Sequence, residues 1–221
     1  MNVLAIGDPH EPVAREGYLD FCKDMQRSWR CDTTVIMGDI VDHDAITFHA
    51  GTPDGPGASD EHRLTLNAIK PWVKAFPNAK VCVGNHDRRV LRLAESVNIP
   101  SVYLRDYADV WETPNWEWAY DFTLDDVYYF HGEGHGGLHP AYNVARQMSM
   151  SVVMGHCHSS AGVKWMANPN QRWFGMDVGC GIDDKKYAFA YGRHLKKRSI
   201  LGCGVVIDGT PYWEPMPLEL Y

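Results

Sequence analysis

The segment that decides the fold reads Val35-Ile36-Met37-Gly38-Asp39-Ile40-Val41-Asp42. An apolar run of three residues ends at a glycine, and two aspartates follow. Short runs rich in β-branched residues and bounded by glycine are typical of buried β-strands. We therefore predict a strand here, with the acidic side chains just past its carboxyl end.

Four other segments share this design, in which an apolar run ends in residues suited to acid, base or metal-ligand chemistry. They are residues 3–6 followed by Asp8-Pro9-His10, 81–83 by Gly84-Asn85-His86-Asp87, 127–130 by His131-Gly132, and 152–154 by Gly155-His156-Cys157-His158. Open α/β sheets gather ligand-binding groups in a crevice at the carboxyl ends of their strands. The five segments therefore predict one site built from five strand ends.

Helices are predicted between these strands, because apolar residues recur there at three- and four-residue spacing. The expected starts are Pro12, Ser59 as an N-cap, the residues after Asp87, and Pro140 after His139. The second helix should fail or kink near Pro71, since proline lacks the backbone N–H that the helix needs.

Further strands are predicted from alternation and turn signals. Aromatic residues alternate with others from Trp116 to Phe122, which predicts one strand with an aromatic face. Residues 173–178 and 203–213 are expected to be strands, the latter folding back at Asp208-Gly209 as a hairpin. The chain therefore belongs to the α/β class, and we expect a single domain over residues 1–221.

Composition limits the classes of protein. The 221 residues include 45% hydrophobic ones but no long apolar stretch, so no membrane-spanning helix is expected. A candidate site residue already stands at Asp8, so no cleaved leader is expected. Six cysteines without a C-x-x-C pair indicate free thiols in the cytoplasm. The net charge of -7 argues mildly against a dedicated nucleic-acid binder.

The ordered set of motifs resembles the calcineurin-like metallophosphoesterase family, whose pattern is D-x-H, G-D-x-x-D, G-N-H-D/E, H and G-H-x-H. The matching residues span positions 8 to 158. This resemblance implies a four-layer sandwich, with two mixed β-sheets face to face and helices outside. It also implies two-metal hydrolysis of phosphoesters at a dinuclear site past the carboxyl ends of the strands.

The resemblance assigns metal ligands position by position. One ion would be held by Asp8, His10, Asp39 and His158, and the other by Asp39, Asn85, His131 and His156. Asp39 would bridge the ions, and a bridging water or hydroxide would be the nucleophile. Mixed imidazole and carboxylate ligands suit several metals. Manganese is the expected one, with iron, zinc, nickel or cobalt as alternatives; Cys157 is expected to pack inward instead of binding metal.

The resemblance also suggests the groups that handle substrate. His86 would protonate the leaving oxygen, with Asp87 orienting its ring, and Asp42 would support a ligand by a hydrogen bond. Asn85 and His43 are candidate substrate contacts. His135, in the glycine-rich loop that follows His131, is a further candidate, with an ordinary surface loop histidine as the favoured alternative. His43 stands where the protein-phosphatase branch carries arginine in G-D-x-V-D-R-G, which removes a bidentate phosphate binder and favours the phosphodiesterase branch.

Several alternatives stay open at this point. Phosphomonoester or phosphoprotein hydrolysis is one, and a metal-dependent nuclease is another, for which the basic residues Arg88, Arg89 and Arg92, the run from Arg193 to Arg198 and the aromatic face would speak. A non-catalytic module that binds a partner is less favoured, because no ligand position of the motif set is missing. The expected partner is a phosphoester of unknown identity, with nucleic acid not favoured and no membrane. The sequence leaves the oligomeric state open.

Overall fold

The computed structural model describes residues 1–48, 55–187 and 198–217. Within these ranges the strands are β1 (Asn2–Ile6), β2 (Thr33–Ile36), β3 (Lys80–Cys82), β4 (Glu117–Ala119), β5 (Asp121–Leu124), β6 (Val127–Phe130), β7 (Ser151–Met154), β8 (Ala161–Ala167), β9 (Arg172–Val178), β10 (Gly202–Ile207) and β11 (Thr210–Pro215). The helices are α1 (Tyr18–Ser28), α2 (Ala58–Ala75), α3 (Arg89–Ser96), α4 (Tyr107–Val110), α5 (Pro140–Met148) and α6 (Asp184–Tyr187).

The strands form two mixed sheets. The first has the order β11-β10-β1-β2-β3-β4, and the second has the order β5-β6-β7-β9-β8. In the first sheet β1, β2, β3 and β4 are parallel while β10 and β11 are antiparallel to their neighbours. In the second sheet β6, β7 and β9 are parallel, and β5 and β8 run antiparallel at its edges. All five motif segments follow parallel strands, so their polar residues emerge at the same edges.

Alternation along β1 shows how the layers stack. Leu4 and Ile6 pack with residues of α1 and α2, such as Tyr18 and Trp72. The intervening Val3 and Ala5 belong to a second cluster, which joins the two sheets. Successive side chains of a strand point to opposite faces, so the first sheet is covered by helices on one side and by the second sheet on the other.

Helix α5 covers the outer face of the second sheet. Ala141, Val144 and Ala145 are buried against Val152 and Met154 of β7. The four layers are thus helices, sheet, sheet and helix, and the predicted sandwich of two mixed sheets is confirmed. Burial of a large apolar side chain stabilises a fold by about 1.5–3 kcal/mol, and the first two clusters each contain many such side chains.

Local predictions hold in part. The hairpin at Asp208-Gly209 is confirmed, and both residues have the positive φ (45° and 76°) of a tight turn that matches strand twist. The helix predicted from Pro12 begins only at Tyr18, and α2 begins at Ala58 and continues through Pro71 to Ala75. The stretch 50–58 is rich in glycine and proline, which predicts a loop, and residues 50–54 of it lie outside the described residues.

The predicted aromatic strand is wrong. The chain leaves the first sheet after β4 and enters the second at β5, with Tyr120 between them. Trp116 is buried with the helices, whereas Phe122 is buried between the sheets, and Tyr120 is 54% exposed. The alternating pattern therefore reflects a crossing between two cores, and no continuous aromatic face exists along this described segment.

Two further findings concern the chain as a whole. Within residues 1–48, 55–187 and 198–217, no helix is long and apolar enough to cross a membrane. All six cysteines lie in these ranges as free thiols, as predicted, and five of them are buried.

Candidate metal centre

The five motif segments meet where the parallel strands of both sheets end. The first sheet contributes the polar residues after β1, β2 and β3, and the second contributes the histidines after β6 and β7. Among the described residues, three groups of side chains have ligand atoms within 4.8 Å of one another. Two of them share no residue: Asp8, His10 and His158 form the first, and Asp39, His131 and His156 form the second. The third group, His10, Asp42 and His86, overlaps the first at His10. The structure therefore brings together the residues that the sequence singled out.

The first group is organised around imidazole Nε2 atoms. His10 Nε2 lies 3.2 Å from His158 Nε2, which in turn lies 3.2 Å from Asp8 Oδ2. His10 Nδ1 donates to Asp42 Oδ1 at 3.0 Å. This hydrogen bond fixes the tautomer, so that the neutral ring presents its Nε2 lone pair to the group. Asp42 therefore supports a candidate ligand, which is the role that the sequence suggested for it.

The second group converges on His131 Nε2. Its nearest neighbours are Asn85 Oδ1 at 2.9 Å, His156 Nδ1 at 3.1 Å and Asp39 Oδ2 at 3.2 Å. His131 Nδ1 donates to the carbonyl of Met37 at 2.9 Å, which orients the ring in the same way. Asn85 thus joins this group, as the motif predicted.

Asp39 lies between the two groups. Its Oδ2 is 3.2 Å from His131 Nε2 and 3.7 Å from His10 Nε2, while its Oδ1 accepts the backbone N–H of His86 at 2.8 Å. One carboxylate oxygen therefore faces both groups. A two-metal site needs a carboxylate in this position so that its ions sit about 3.5 to 4 Å apart.

Glycines make room for the carboxylates. A Cβ on Gly84 would overlap the Asp39 side chain, and one on Gly155 would overlap the Asp8 side chain. Three ligand candidates, His10, Asp39 and His156, have positive φ (53°, 46° and 65°). Residues other than glycine seldom adopt this conformation, and such strain concentrates at functional sites.

The donor set fits divalent cations. Around His131 Nε2 the neighbours are acceptor oxygens and another imidazole nitrogen, so lone pairs face one another unless a cation lies among them. Asp8 Oδ1 is buried without a hydrogen-bond partner among the described residues. Burial lowers the pKa of His131, but the Asp39 carboxylate outweighs it and raises the pKa to about 10. The group therefore attracts a positive charge, and imidazole, carboxylate and amide oxygen together suit first-row divalent metals.

His86 lies beside the first group, held by Asp42. Its Nδ1 donates to the Asp42 carbonyl at 2.6 Å and is 3.4 Å from Asp42 Oδ1. Burial opposes protonation of this ring, but the carboxylates of Asp39 and Asp42 outweigh burial and raise the pKa of His86. Burial raises the pKa of Asp42, but its hydrogen bonds to His10 and His86 bring the pKa below the ordinary value.

Asp87 does something other than what the motif suggested. Its carboxylate accepts the backbone N–H groups of Gly84 at 2.8 Å, Asp39 at 2.9 Å and Val41 at 3.4 Å. The expectation that Asp87 orients the His86 ring is therefore wrong. The backbone carbonyl of Asp42 orients that ring instead. Asp87 instead ties together the loops after β2 and β3, because a buried carboxylate is satisfied there by backbone donors.

Arg89 is a site residue whose role sequence reasoning missed. It was grouped with Arg88 and Arg92 as a charged face, but only 6% of it is exposed. Its Nη1 donates to the carbonyls of Asp42 and His43, and its Nη2 donates to His86 Nε2 at 3.2 Å. The signal that could have found it is its position three residues after His86, one helical turn on.

The candidate substrate contacts differ in position. His43 is buried, its Nδ1 donates to the His86 carbonyl at 2.9 Å, and burial lowers its pKa to about 4. It is therefore a neutral ring. His135 packs edge-on against Phe130 at 5.6 Å and belongs to neither ligand group. Cys157 packs toward the cluster under α5, in agreement with its predicted inward position.

The chain is similar in sequence to one known protein family. The fold is a two-sheet sandwich with a mixed carboxylate and imidazole centre at the strand ends. The family model for calcineurin-like phosphoesterases matches residues 1–196, so the chain belongs to this family. Membership supports metal-dependent hydrolysis of phosphoesters in general. The search of curated protein sequences finds no significant match.

Several solved structures are similar to this chain. One solved chain is 12% identical with a TM-score of 0.52, over 97% of this chain and 98% of that one. A metallophosphoesterase from Sphaerobacter thermophilus is 13% identical with a TM-score of 0.49, over 99% and 90%. Vacuolar Protein Sorting 29 from Cryptosporidium parvum is 11% identical with a TM-score of 0.48, over 96% and 94%. At such low identity the likeness concerns the fold alone.

Proposed function

We propose that this protein hydrolyses phosphodiesters with two divalent ions, manganese being the expected metal. The observation that carries the proposal is the position of Asp39 Oδ2, which faces both His131 and His10. Asp8, His10 and His158 would hold one ion together with Asp39. Asn85, His131 and His156 would hold the other with the same carboxylate. When bound, the ions would supply Lewis acidity and lower the pKa of a coordinated water.

His86 is the proposed general acid. Its Nδ1–H is fixed on the Asp42 carbonyl, so Nε2 is the atom that exchanges a proton with substrate. Arg89 Nη2 lies 3.2 Å from Nε2. A leaving oxygen that reaches Nε2 therefore also comes within reach of the guanidinium, which would favour the developing negative charge. A protonated Nε2 cannot accept the Arg89 N–H, so in the acid form of His86 this N–H is free to donate to the leaving oxygen.

The preference for diesters rests on the charge beside the site. A phosphomonoester carries one more negative charge than a diester and benefits from an additional cation. Position 43 supplies a neutral imidazole, because burial lowers the pKa of His43 to about 4. Arg89 Nη1 is already bonded to two carbonyl groups. Both features favour the substrate with less charge.

The residues that would favour a nuclease make other contacts in the structure. Arg88 and Arg92 approach Glu133 at 3.6 Å and 3.9 Å, and Arg89 is buried. The aromatic face on which bases would stack is divided between two cores. Residues 193–197 of the basic run lie outside the described residues. Nucleic acid therefore remains the less favoured substrate.

The test is an assay of the purified protein with Mn²⁺ on bis-p-nitrophenyl phosphate and on p-nitrophenyl phosphate. We expect a higher kcat/KM for the diester. A higher value for the monoester would indicate a phosphatase, and cleavage of single- or double-stranded DNA ahead of both would indicate a nuclease. Protein with Asp39→Asn, purified in the same way, controls for contaminating enzymes. Absence of turnover on all substrates would contradict the proposal and favour a non-catalytic binding module.

A further inference from the structure

A cavity of about 410 Å³ lies beside the acid loop. It is enclosed by α3, α4, the start of α2 and the 3-10 helix Asp44–Ile46. Pockets for small organic molecules typically have volumes of about 300–1,000 Å³. This cavity therefore has room for one aromatic ring system.

The cavity shares two walls with the candidate metal centre. His43 and Asp87 line it. His43 Nδ1 donates to the carbonyl of His86, and Asp87 accepts the backbone N–H of Asp39. The cavity thus adjoins the loop that carries the proposed acid.

The lining suits a flat apolar group. Most of it is aliphatic or aromatic, contributed by Ile46, Val90, Leu91, Leu104, Val110 and Trp111. The Trp111 ring is flanked by His43 at 5.4 Å and by His62 at 5.0 Å between ring centroids. Aromatic rings pack favourably at such distances in offset or tilted arrangements.

One polar atom in the wall has no partner. The hydroxyl of Tyr107, a lining residue, is buried and makes no hydrogen bond to the residues that the structure describes. Buried hydroxyl groups are normally satisfied, and an unsatisfied one needs an explanation.

We propose that this cavity binds the leaving group of the phosphodiester and selects for an aromatic one. The inference rests on the proposed function. In the reaction a water oxygen bonds to phosphorus, the bond from phosphorus to the leaving oxygen breaks, and that oxygen takes a proton from His86. The proton that the water loses passes to solvent, from which His86 is protonated again. The aromatic ring attached to that oxygen occupies the space next to Trp111.

The first test compares two leaving groups of similar acidity but different shape. Methyl 4-chlorophenyl phosphate carries an aromatic leaving group, and methyl hexafluoroisopropyl phosphate carries an aliphatic one. We expect the aryl ester to have the higher kcat/KM by about tenfold, as is usual for filling an apolar pocket. Equal values for the two esters would overturn the proposal.

Two variants test whether the preference for the aryl ester arises at this cavity. Val90 lines the cavity and is 45% exposed, so Val90→Trp should fill the space without loss of folding. It should lower kcat/KM about tenfold for the aryl ester and leave the fluoroalkyl ester unchanged. Val97→Trp, at a 63% exposed valine outside the lining, is the matched control and should change neither. Equal losses on both esters in Val90→Trp would overturn the proposal.

Leu104→Ala tests the opposite change, since it enlarges the cavity. It should raise kcat/KM for methyl 1-naphthyl phosphate relative to the 4-chlorophenyl ester. An unchanged ratio would contradict the placement of the ring.

A binding measurement separates this inference from the proposed function. Calorimetric titration of the Mn²⁺-loaded protein with phenylphosphonate and with methylphosphonate needs no turnover. We expect phenylphosphonate to bind about tenfold more tightly, and Val90→Trp to remove the difference. A protein that turns over esters yet binds both phosphonates equally would refute the pocket alone. A protein without turnover that still prefers phenylphosphonate would refute the proposed function and support the pocket.

Discussion

The two sheets contribute differently to the candidate metal centre. The first sheet supplies every carboxylate, on Asp8, Asp39, Asp42 and Asp87, and all four are buried. The second sheet supplies imidazoles only, and the side chain of His158 is 23% exposed whereas that of Asp8 is 0% exposed. Negative charge is thus fixed deep in the first sheet. Of the imidazoles from the second sheet, His131 is buried as deeply, whereas His158 lies toward the more open side.

This division has a physical basis. A buried carboxylate is tolerated only where donors or cations satisfy it. In the first sheet Asp87, Asp39 and Asp8 each accept at least one backbone N–H at 2.7–2.9 Å. Imidazoles need no such support, because they are neutral as ligands. The first sheet should therefore determine whether metal binds, and the second should adjust how strongly.

Asp39→Asn should have the largest effect on turnover. The amide keeps the shape but removes the charge that both ligand groups share. We expect loss of both ions and a decrease in kcat of about 10⁴-fold, since metal ions stabilise the transition state by several kcal/mol. Metal analysis by mass spectrometry together with the diester assay measures this. The exposed Asp60→Asn serves as the control, and an Asp39→Asn protein that retains two ions would refute the shared carboxylate.

His86→Asn should have the second-largest effect on turnover. The residue belongs to the first sheet but donates a proton instead of binding metal, so the variant should keep both ions. Loss of a general acid typically lowers the rate by about 10² to 10⁴-fold, and we expect about 10³-fold. The loss should shrink for esters with more acidic leaving groups, which need less protonation. An equal loss of rate for all leaving groups would show that His86 is not the general acid.

Much of this arrangement could be predicted from the sequence. The strand runs and the motif residues behind them are local signals, and each of the five appears where expected. The helix starts were less accurate, because Pro12 and Ser59 satisfy helix-start preferences that the tertiary structure overrides. The crossing at Tyr120 was missed because alternation indicates a strand but says nothing of which sheet it joins.

The site was predicted in its residues but not in all its hydrogen bonds. Motif order implied that Asp87 serves its neighbour His86, whereas the fold turns that carboxylate toward three backbone N–H groups. Arg89 was missed because an arginine among arginines is normally solvated. Only the three-dimensional path of α3 places its guanidinium on His86 Nε2.

His158→Ala tests the second sheet. Removing this half-buried imidazole should weaken one ion and spare the other, in contrast to Asp39→Asn. We expect the affinity for one ion to fall by at least about 100-fold. Loss of a residue that only hydrogen-bonds to a metal ligand already lowers metal affinity about 10 to 100-fold. Turnover at saturating Mn²⁺ should recover to within about tenfold. Metal titration by calorimetry measures how many ions bind. Simultaneous loss of both ions would contradict the different roles proposed for the two sheets.

Asp177→Asn should leave turnover unchanged and affect only stability. Asp177 is a buried carboxylate of the second sheet, outside both ligand groups, and its Oδ1 accepts the backbone N–H of Ala141 in the first turn of α5 at 3.2 Å. Burial raises its pKa to about 6. The native state therefore favours the protonated form, so the stability due to this group is complete below about pH 4 and is lost as pH rises through about 6.

A shift of about two pKa units corresponds to about 3 kcal/mol. The asparagine keeps the acceptor oxygen and cannot ionise. Relative to wild type, Asp177→Asn should therefore gain up to about 3 kcal/mol in the free energy of unfolding between pH 4 and pH 7. Urea unfolding in the presence of a chelator measures this gain, and the exposed Asp109→Asn should show none. A difference independent of pH would mean that the N–H groups of α5 compensate the charge fully. The second sheet would then hold a buried carboxylate as readily as the first, and the contrast between the sheets would rest on the position of the metals alone.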